Sequence, residues 1–187
     1  MPGLGRFVDF GPNSALGTLP DVQGRGMKYI LVIDDKDEIR YLVKAVLTTY
    51  GFSVLEAGTG QIGMAMMRDH RPDLVICDVN MPGMDGYETL SAVRDSSTTA
   101  QIPFILMTGL MSRDGFRRGM VCGADDYLVK PFTSDELVEA VMSRLVRQTD
   151  IQMAASKRAQ RLHEYAARYS FPEFTGIPQD FLNGVAA

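Results

Sequence analysis

Five residues able to do chemistry stand at the ends of short apolar runs: Asp34 and Asp35 after 29–33, Asp78 after 74–77, Thr108 after 103–107 and Lys130 after 126–129. Short apolar runs bounded by charged or Pro/Gly-rich segments read as strands buried on both faces, the kind found in parallel sheets. The ends of parallel strands share one edge, and open α/β sheets bind their ligands there. Three neighbouring carboxylates repel one another and call for a cation unless some are protonated. An all-oxygen site without His or Cys selects a hard metal, and few protein ligands with room for water suit Mg²⁺. Once the charge is neutralised, one carboxylate can approach an anionic phosphoryl group as a nucleophile while Lys130 and Thr108 hold its oxygens. That chemistry is phosphoryl transfer. Each residue alone also has a plain structural reading: Asp34, Asp35 and Asp78 as helix caps, Thr108 as a turn residue, Lys130 as a solvated strand end. Agreement in chemistry among four strand ends favours the functional reading.

The elements that must position these side chains alternate strand and helix. After the strand at 29–33, residues 37–50 place Ile39, Leu42, Val43, Val46, Leu47 and Tyr50 on one stripe at helical spacing, stopped by Gly51. A strand at 52–57, a short Met-rich helix at 61–69 and the strand at 73–78 follow. Past the Met81-Pro82-Gly83 turn, a helix at 87–94 directs Tyr87, Leu90 and Val93 inward, and a strand fills 103–107. The next helix, around 112–121, carries Gly115 and Gly119. Each glycine costs about 1 kcal/mol against Ala, so this is expected to be the least stable helix. After the strand at 126–129, Thr133 and Glu136 make a capping box for a last helix with Leu137, Val138, Val141, Met142, Leu145 and Val146 as its buried stripe. Five such units, with strands too apolar to face water, predict a doubly wound α/β fold: a parallel sheet with helices on both sides.

Four segments together resemble the receiver domain of bacterial two-component response regulators, the chemotaxis-regulator type among them. They are the pair Asp34-Asp35, the run Asp78-Val79-Asn80-Met81-Pro82-Gly83-Met84-Asp85-Gly86, Thr108-Gly109, and Gly123-Ala124-Asp125-Asp126-Tyr127-Leu128-Val129-Lys130-Pro131-Phe132. The resemblance covers about residues 28–147. It implies a flavodoxin-like (βα)5 three-layer sandwich with strand order 2-1-3-4-5. It also implies that Asp78 accepts a phosphoryl group from the phosphohistidine of a sensor histidine kinase or a histidine phosphotransfer protein. Asp35, Asp78 and the backbone carbonyl of Asn80 would bind Mg²⁺, with Asp34 assisting. Thr108 and Lys130 would engage the phosphoryl group, Thr108 and Tyr127 would act as switch residues with Tyr127 moving inward on activation, and the Lys130–Pro131 bond would be cis.

Two other classes share parts of this pattern. A phosphohydrolase of the haloacid dehalogenase type also uses a strand-end Asp with Mg²⁺, but places a second carboxylate two residues on. That position is Asn80, which cannot shuttle a proton. A flavodoxin-like cofactor binder needs a phosphate-cradling loop after its first strand, where Asp34-Asp35 would repel a phosphate. The chain is therefore expected to catalyse only its own phosphorylation and dephosphorylation.

The hydrophobic share of 45% and charged share of 22% are ordinary for a globular protein. No run approaches the ~18 to 20 apolar residues of a membrane span, and a secretion-signal layout is missing, so a cytoplasmic protein without a membrane partner is expected. The net charge of −4 and pI near 5.2 give no general nucleic-acid footprint, so nucleic acid is not an expected partner. Cys77 and Cys122 lack metal-ligand spacing and read as reduced core residues. The surface readings are favoured for His70, in a loop, and His163, on a helix.

The chain divides into a Gly/Pro-rich flexible leader at 1–26, the receiver at 27–147 and a helical extension and tail at 148–187 without a recognisable output domain. Met27 is an alternative start to Met1. Residues 144–168 carry six basic side chains against Asp150 and Glu164, a local net charge of +4. Ala155, Ala159, Leu162, Ala166 and Tyr169 step by four and three, a weak heptad-like seam. Such a helix either pairs with a second copy or a kinase, or folds back on its own domain. A homodimer through it, or through the face of the fourth helix, fifth strand and fifth helix, is one open choice. Apolar anchors follow at Phe171, Phe174, Ile177, Phe181 and Leu182. Leu110 sits over the phosphoryl site or in helix packing. The output is expected to run through contacts with an unidentified protein target, as a stand-alone receiver or as the front portion of a longer regulator.

Overall fold

A computed structural model describes residues 27–109 and 113–169. The leader, Leu110 and the anchors between Phe171 and Leu182 lie outside the described residues. Five strands, β1 (Tyr29–Ile33), β2 (Ser53–Ala57), β3 (Leu74–Asp78), β4 (Phe104–Thr108) and β5 (Asp126–Val129), form one sheet in the order β2-β1-β3-β4-β5. Every pairing is parallel, with Ile33 opposite Cys77, Asp78 opposite Met107 and Thr108 opposite Val129. The connections are α1 (Asp37–Thr49), α2 (Gly60–His70), α3 (Gly86–Asp95) and α4 (Arg113–Cys122), and α5 (Ser134–Tyr169) follows β5. This is the doubly wound fold and strand order expected from the sequence.

Because successive side chains of a strand point to opposite faces, the three central strands split their apolar residues between two cores. Leu31, Ile33, Val75, Cys77, Phe104 and Leu106 meet Met67 of α2 and Tyr87, Leu90 and Val93 of α3 on one face. Ile30, Val32, Leu74, Ile76, Ile105 and Met107 meet Val43 and Leu47 of α1 and Leu137 and Val141 of α5 on the other. Burial on both faces is why these strands read as unbroken apolar runs. The edge strands β2 and β5 are less buried, and Lys44 of α1 pairs with Glu56 on β2.

Helix stripes are narrower than the sequence periodicity suggests. Leu42 and Tyr50 of the α1 stripe and Val146 of the α5 stripe are exposed, because a helix lying on a sheet covers only its innermost positions. α2 starts and ends one residue beyond the expected 61–69, so His70 is its exposed last residue rather than a loop residue. Thr133 and Glu136 form the expected capping box, each accepting from the other's backbone N–H. α5 then runs 36 residues without a break. The described side chains from 150 onward are exposed except Gln152 and Ala159, which are half-buried, so this part does not fold back on its own domain. The side chains of Ala166 and Tyr169 lie outside the description. No helix among the described residues is long and apolar enough to cross a membrane.

Candidate functional site

The carboxyl edge of the sheet brings together most of the residues singled out above. Asp34 follows β1 directly and is fully buried; its backbone N–H donates to the Ala57 carbonyl at 3.1 Å, fixing where the chain leaves the sheet. Asp78 is the last residue of β3 and Thr108 the last of β4, and both are buried. Lys130 follows β5, and its N–H donates to the Thr108 carbonyl at 2.7 Å, which continues the β4–β5 ladder. The Lys130–Pro131 bond is cis, as expected.

The Lys130 ammonium lies between two carboxylates, 2.6 Å from Asp34 Oδ2 and 2.6 Å from Asp78 Oδ1. The remaining oxygens are satisfied by backbone: Lys36 N–H donates to Asp34 Oδ1 at 2.9 Å and Asn80 N–H to Asp78 Oδ2 at 2.8 Å. Burial alone would lower the Lys130 pKa, and the hydrogen bonds to Asp34 and Asp78 outweigh it, so the ammonium is held above its ordinary range. Burial likewise pushes the Cys77 thiol well up, reinforced by the charges of Asp78 and Asp34, and Cys77 and Cys122 are both free.

The expectation of three converging carboxylates is met for two. Asp34 and Asp78 meet on Lys130, whereas Asp35 is exposed, as is Asn80 in the loop after β3. Among the described residues no cluster of three or more His, Cys, Asp or Glu side chains is gathered closely enough to cage a metal ion. The donors at this edge are all oxygens, which fits a hard cation that keeps several waters and needs few protein ligands.

Sequence reading named Tyr127 as a switch residue and quoted Asp85-Gly86 and Gly119, but it missed how these groups, with Arg94, hold this edge in shape. A Cβ on Gly86 would lie 2.3 Å from the Asp78 carbonyl oxygen and 2.9 Å from Val79 Cα, so only glycine lets α3 start against the end of β3. Its N–H donates to the Val79 carbonyl at 3.0 Å. Asp85 caps the same helix in a full capping box with Glu88. Asp85-Gly86 was the available signal; its reason is tertiary. Tyr127 is half-buried beneath α4, where its hydroxyl donates to the carbonyls of Phe116 at 3.1 Å and Gly115 at 3.3 Å. Gly119 makes room for it: a Cβ there would lie 1.5 Å from Tyr127 Oη. Arg94 donates to the carbonyls of Gly123, Ala100 and Ile102 and to the Asp125 carboxylate, all within 3.0 Å. Asp125 also accepts from Phe104 N–H at 2.8 Å, so this cluster ties the start of β4 to the turn before β5. No local pattern announces Arg94, because the Asp125 and Gly123 it contacts lie about thirty residues away in sequence.

The fold and the strand-end constellation define a class of α/β protein that carries a buried, lysine-paired carboxylate at the tip of the central strand. Residues 30–142 match the response regulator receiver domain, and the chain belongs to that family. Among curated relatives, the transcriptional regulatory protein AfsQ1 of Streptomyces coelicolor is 37% identical over 126 residues, 66% of this chain and 55% of its own length. The DNA-binding dual master transcriptional regulator RpaA of Synechocystis is 36% identical over 138 residues, 74% of this chain and 57% of its own. The chain thus spans little more than half the length of these relatives. Among solved structures, the chemotaxis protein CheY4 of Vibrio cholerae superposes with a TM-score of 0.61 at 34% identity, covering 63% of this chain and 98% of that one. With one relative named a DNA-binding regulator and another a transcriptional regulatory protein, the expectation from net charge that nucleic acid is no partner loses its support.

Proposed function

We propose that this chain is a phosphorylation-activated receiver in which Asp78 accepts a phosphoryl group from the phosphohistidine of a sensor histidine kinase or histidine phosphotransfer protein. The observation that carries this reading is the Lys130 ammonium held 2.6 Å from both Asp34 and Asp78 at the carboxyl edge of the sheet. An Asp78 carboxylate oxygen attacks phosphorus as the bond to the donor nitrogen breaks, and the donor imidazole keeps the electron pair. Lys130 meets the charge of the incoming phosphoryl oxygens, and the Thr108 hydroxyl at the end of the neighbouring strand donates to one of them. Asp35, Asp78 and the Asn80 carbonyl would hold Mg²⁺, with Asp34 assisting; when bound, the ion neutralises the carboxylates and lets the phosphate approach. Asn80, two residues past the nucleophile, is not an acid or base, so the chain receives and slowly loses a phosphoryl group and does not turn over phosphoesters.

The added charge of about −1.5 to −2 draws Thr108 toward Asp78, where Lys130 already sits, and biases α4, β5 and Tyr127. Output then runs through protein contacts on the α4–β5–α5 face or the helical extension, with a target or a second copy. Because the stretch shared with the matched transcriptional regulators spans little more than half of their length, the second reading is the receiver portion of a longer regulator, which the size of the protein in its native cells distinguishes.

The test is stoichiometric, Mg²⁺-dependent labelling by acetyl phosphate, lost in Asp78→Asn. Labelling that persists in that variant, or turnover of a generic phosphomonoester by the wild type, overturns the reading.

A further inference from the structure

α4 sits beside the candidate site with little core beneath it: Gly119 is its single buried residue among those described. What fixes its first turn is polar. The Tyr87 hydroxyl, from α3, donates to the Gly115 carbonyl at 3.0 Å, and the Tyr127 hydroxyl, from β5, reaches the same oxygen at 3.3 Å. A carbonyl has two lone pairs and accepts both. One turn further along α4, the Arg118 guanidinium lies over the Tyr87 ring, 4.4 Å from its centroid, and 3.4 Å from Asp85 Oδ2.

These contacts lead back to Asp78 through α3. Asp85 and Gly86 open α3, and Gly86 N–H is bonded to the Val79 carbonyl at 3.0 Å, while a Cβ at Gly86 would lie 2.3 Å from the Asp78 carbonyl oxygen. Val79 N–H is in turn fixed to the Met107 carbonyl at 2.8 Å. Two arms therefore join the edge that holds Asp78 to one carbonyl on α4. The first runs through Thr108, β5 and Tyr127, and the second through Val79, Gly86, Tyr87 and Arg118. A purely structural Tyr87, its ring in one core cluster with Leu90, Val93 and Leu106, would need an acceptor for its hydroxyl but not one that a second tyrosine also uses. The shared acceptor and the stacked, ion-paired Arg118 are what a packing role leaves unexplained.

We infer that Tyr87 and Arg118 form a second coupling arm, positioning residues through which occupancy of Asp78 and placement of α4 are linked across α3. The inference rests on the phosphoacceptor reading above. Coupling is reciprocal, so loosening α4 at Tyr87 must alter binding at Asp78.

The test uses the full chain as wild type, Tyr87→Phe, Tyr127→Phe and the double variant, with beryllofluoride and Mg²⁺ as the phosphoryl mimic. Apparent Kd is measured by calorimetry, and amide exchange is followed across residues 113–122. Tyr87→Phe, which keeps the ring, is expected to speed exchange in α4 and shift the apparent Kd about 3- to 10-fold, the scale of one net hydrogen bond. The double variant should shift it by less than the product of the two single shifts, because both hydroxyls act on one carbonyl. Val46→Ala, in the opposite core, lowers stability but should leave the Kd where it was. Wild-type Kd and wild-type α4 response in Tyr87→Phe overturn the coupling arm alone. A wild type that binds beryllofluoride no better than Asp78→Asn overturns the phosphoacceptor reading and the inference with it. If Tyr87→Phe does not fold, Arg118→Met, at an exposed position, puts the same question with the same two outcomes.

Discussion

Replacing Gly119 with alanine sets two known effects against each other, and the structure decides the sign. Helix propensity alone favours alanine by about 1 kcal/mol. The added methyl, however, would stand 1.5 Å from Tyr127 Oη, 2.6 Å from its Cζ and 3.0 Å from Leu106 Cδ1. The phenol is the movable partner, so the ring swings out and loses its bonds to the Phe116 and Gly115 carbonyls and its packing on the Phe116 ring, 5.2 Å between centroids. One shared hydroxyl proton is worth about 1 kcal/mol net, the ring pair about 1 kcal/mol, and the apolar area uncovered about another 1 kcal/mol. Subtracting the propensity gain leaves Gly119→Ala destabilised by about 2 kcal/mol, a fall in Tm of about 6 °C. Urea unfolding reads the first quantity and alkaline difference absorbance the cause. Burial pushes the Tyr127 phenol up to about 12 from an ordinary 10. A folded-state pKa raised in this way adds stability that is complete below about pH 10 and lost as pH rises toward about 12. In the variant that phenol should titrate near the ordinary value, and the alkaline slope should shrink. A Gly119→Ala protein more stable than wild type, with one phenol still titrating near 12, refutes the reasoning.

Lys130→Met leaves the buried Asp34 and Asp78 without their shared ammonium and should cost about 3 kcal/mol at neutral pH in EDTA. Urea midpoints check it, and a variant as stable as wild type contradicts it. In the wild type the raised Lys130 pKa adds stability below about pH 10.5 that fades as pH climbs through the folded value. Gly86→Ala meets backbone rather than a movable side chain, so α3 must shift from the end of β3; a loss of about 3 kcal/mol and slower labelling of Asp78 by acetyl phosphate are expected together. Wild-type labelling kinetics in a folded Gly86→Ala protein would show that α3 does not hold the loop. Arg94→Met strips donors from three carbonyls and Asp125 and should cost about 2 to 4 kcal/mol, with faster amide exchange at Phe104 as the local signature.

The sheet and the strand ends were legible because their physics is local. A strand buried on both faces has to be apolar throughout, so 30–33, 74–77 and 104–107 stand out from the sequence, and the polar residue ending each run must lie on the common edge of a parallel sheet. The capping box at Thr133 was readable for the same reason, whereas the one at Asp85, in a loop dominated by other signals, was not taken up. Helix faces were less so: Leu42, Tyr50 and Val146 share a period with buried neighbours, yet the width of the contact with the sheet is set by how each helix lies on it.

Sequence by itself determined the five strand–helix units, the identity of the strand-end groups and the oxygen-only chemistry they offer. Tertiary structure alone decided which of those groups meet. Lys130 reaches Asp34 across 96 positions and Asp78 across 52, and Asp35, adjacent to Asp34 in the chain, stays outside the pair. It also decided that Tyr87 and Tyr127 converge on α4 at Gly115, with Gly119 making room, which no periodicity could announce. Long-range side-chain contacts depend on how packed layers bring distant segments together, and residue spacing along one chain carries no record of that distance.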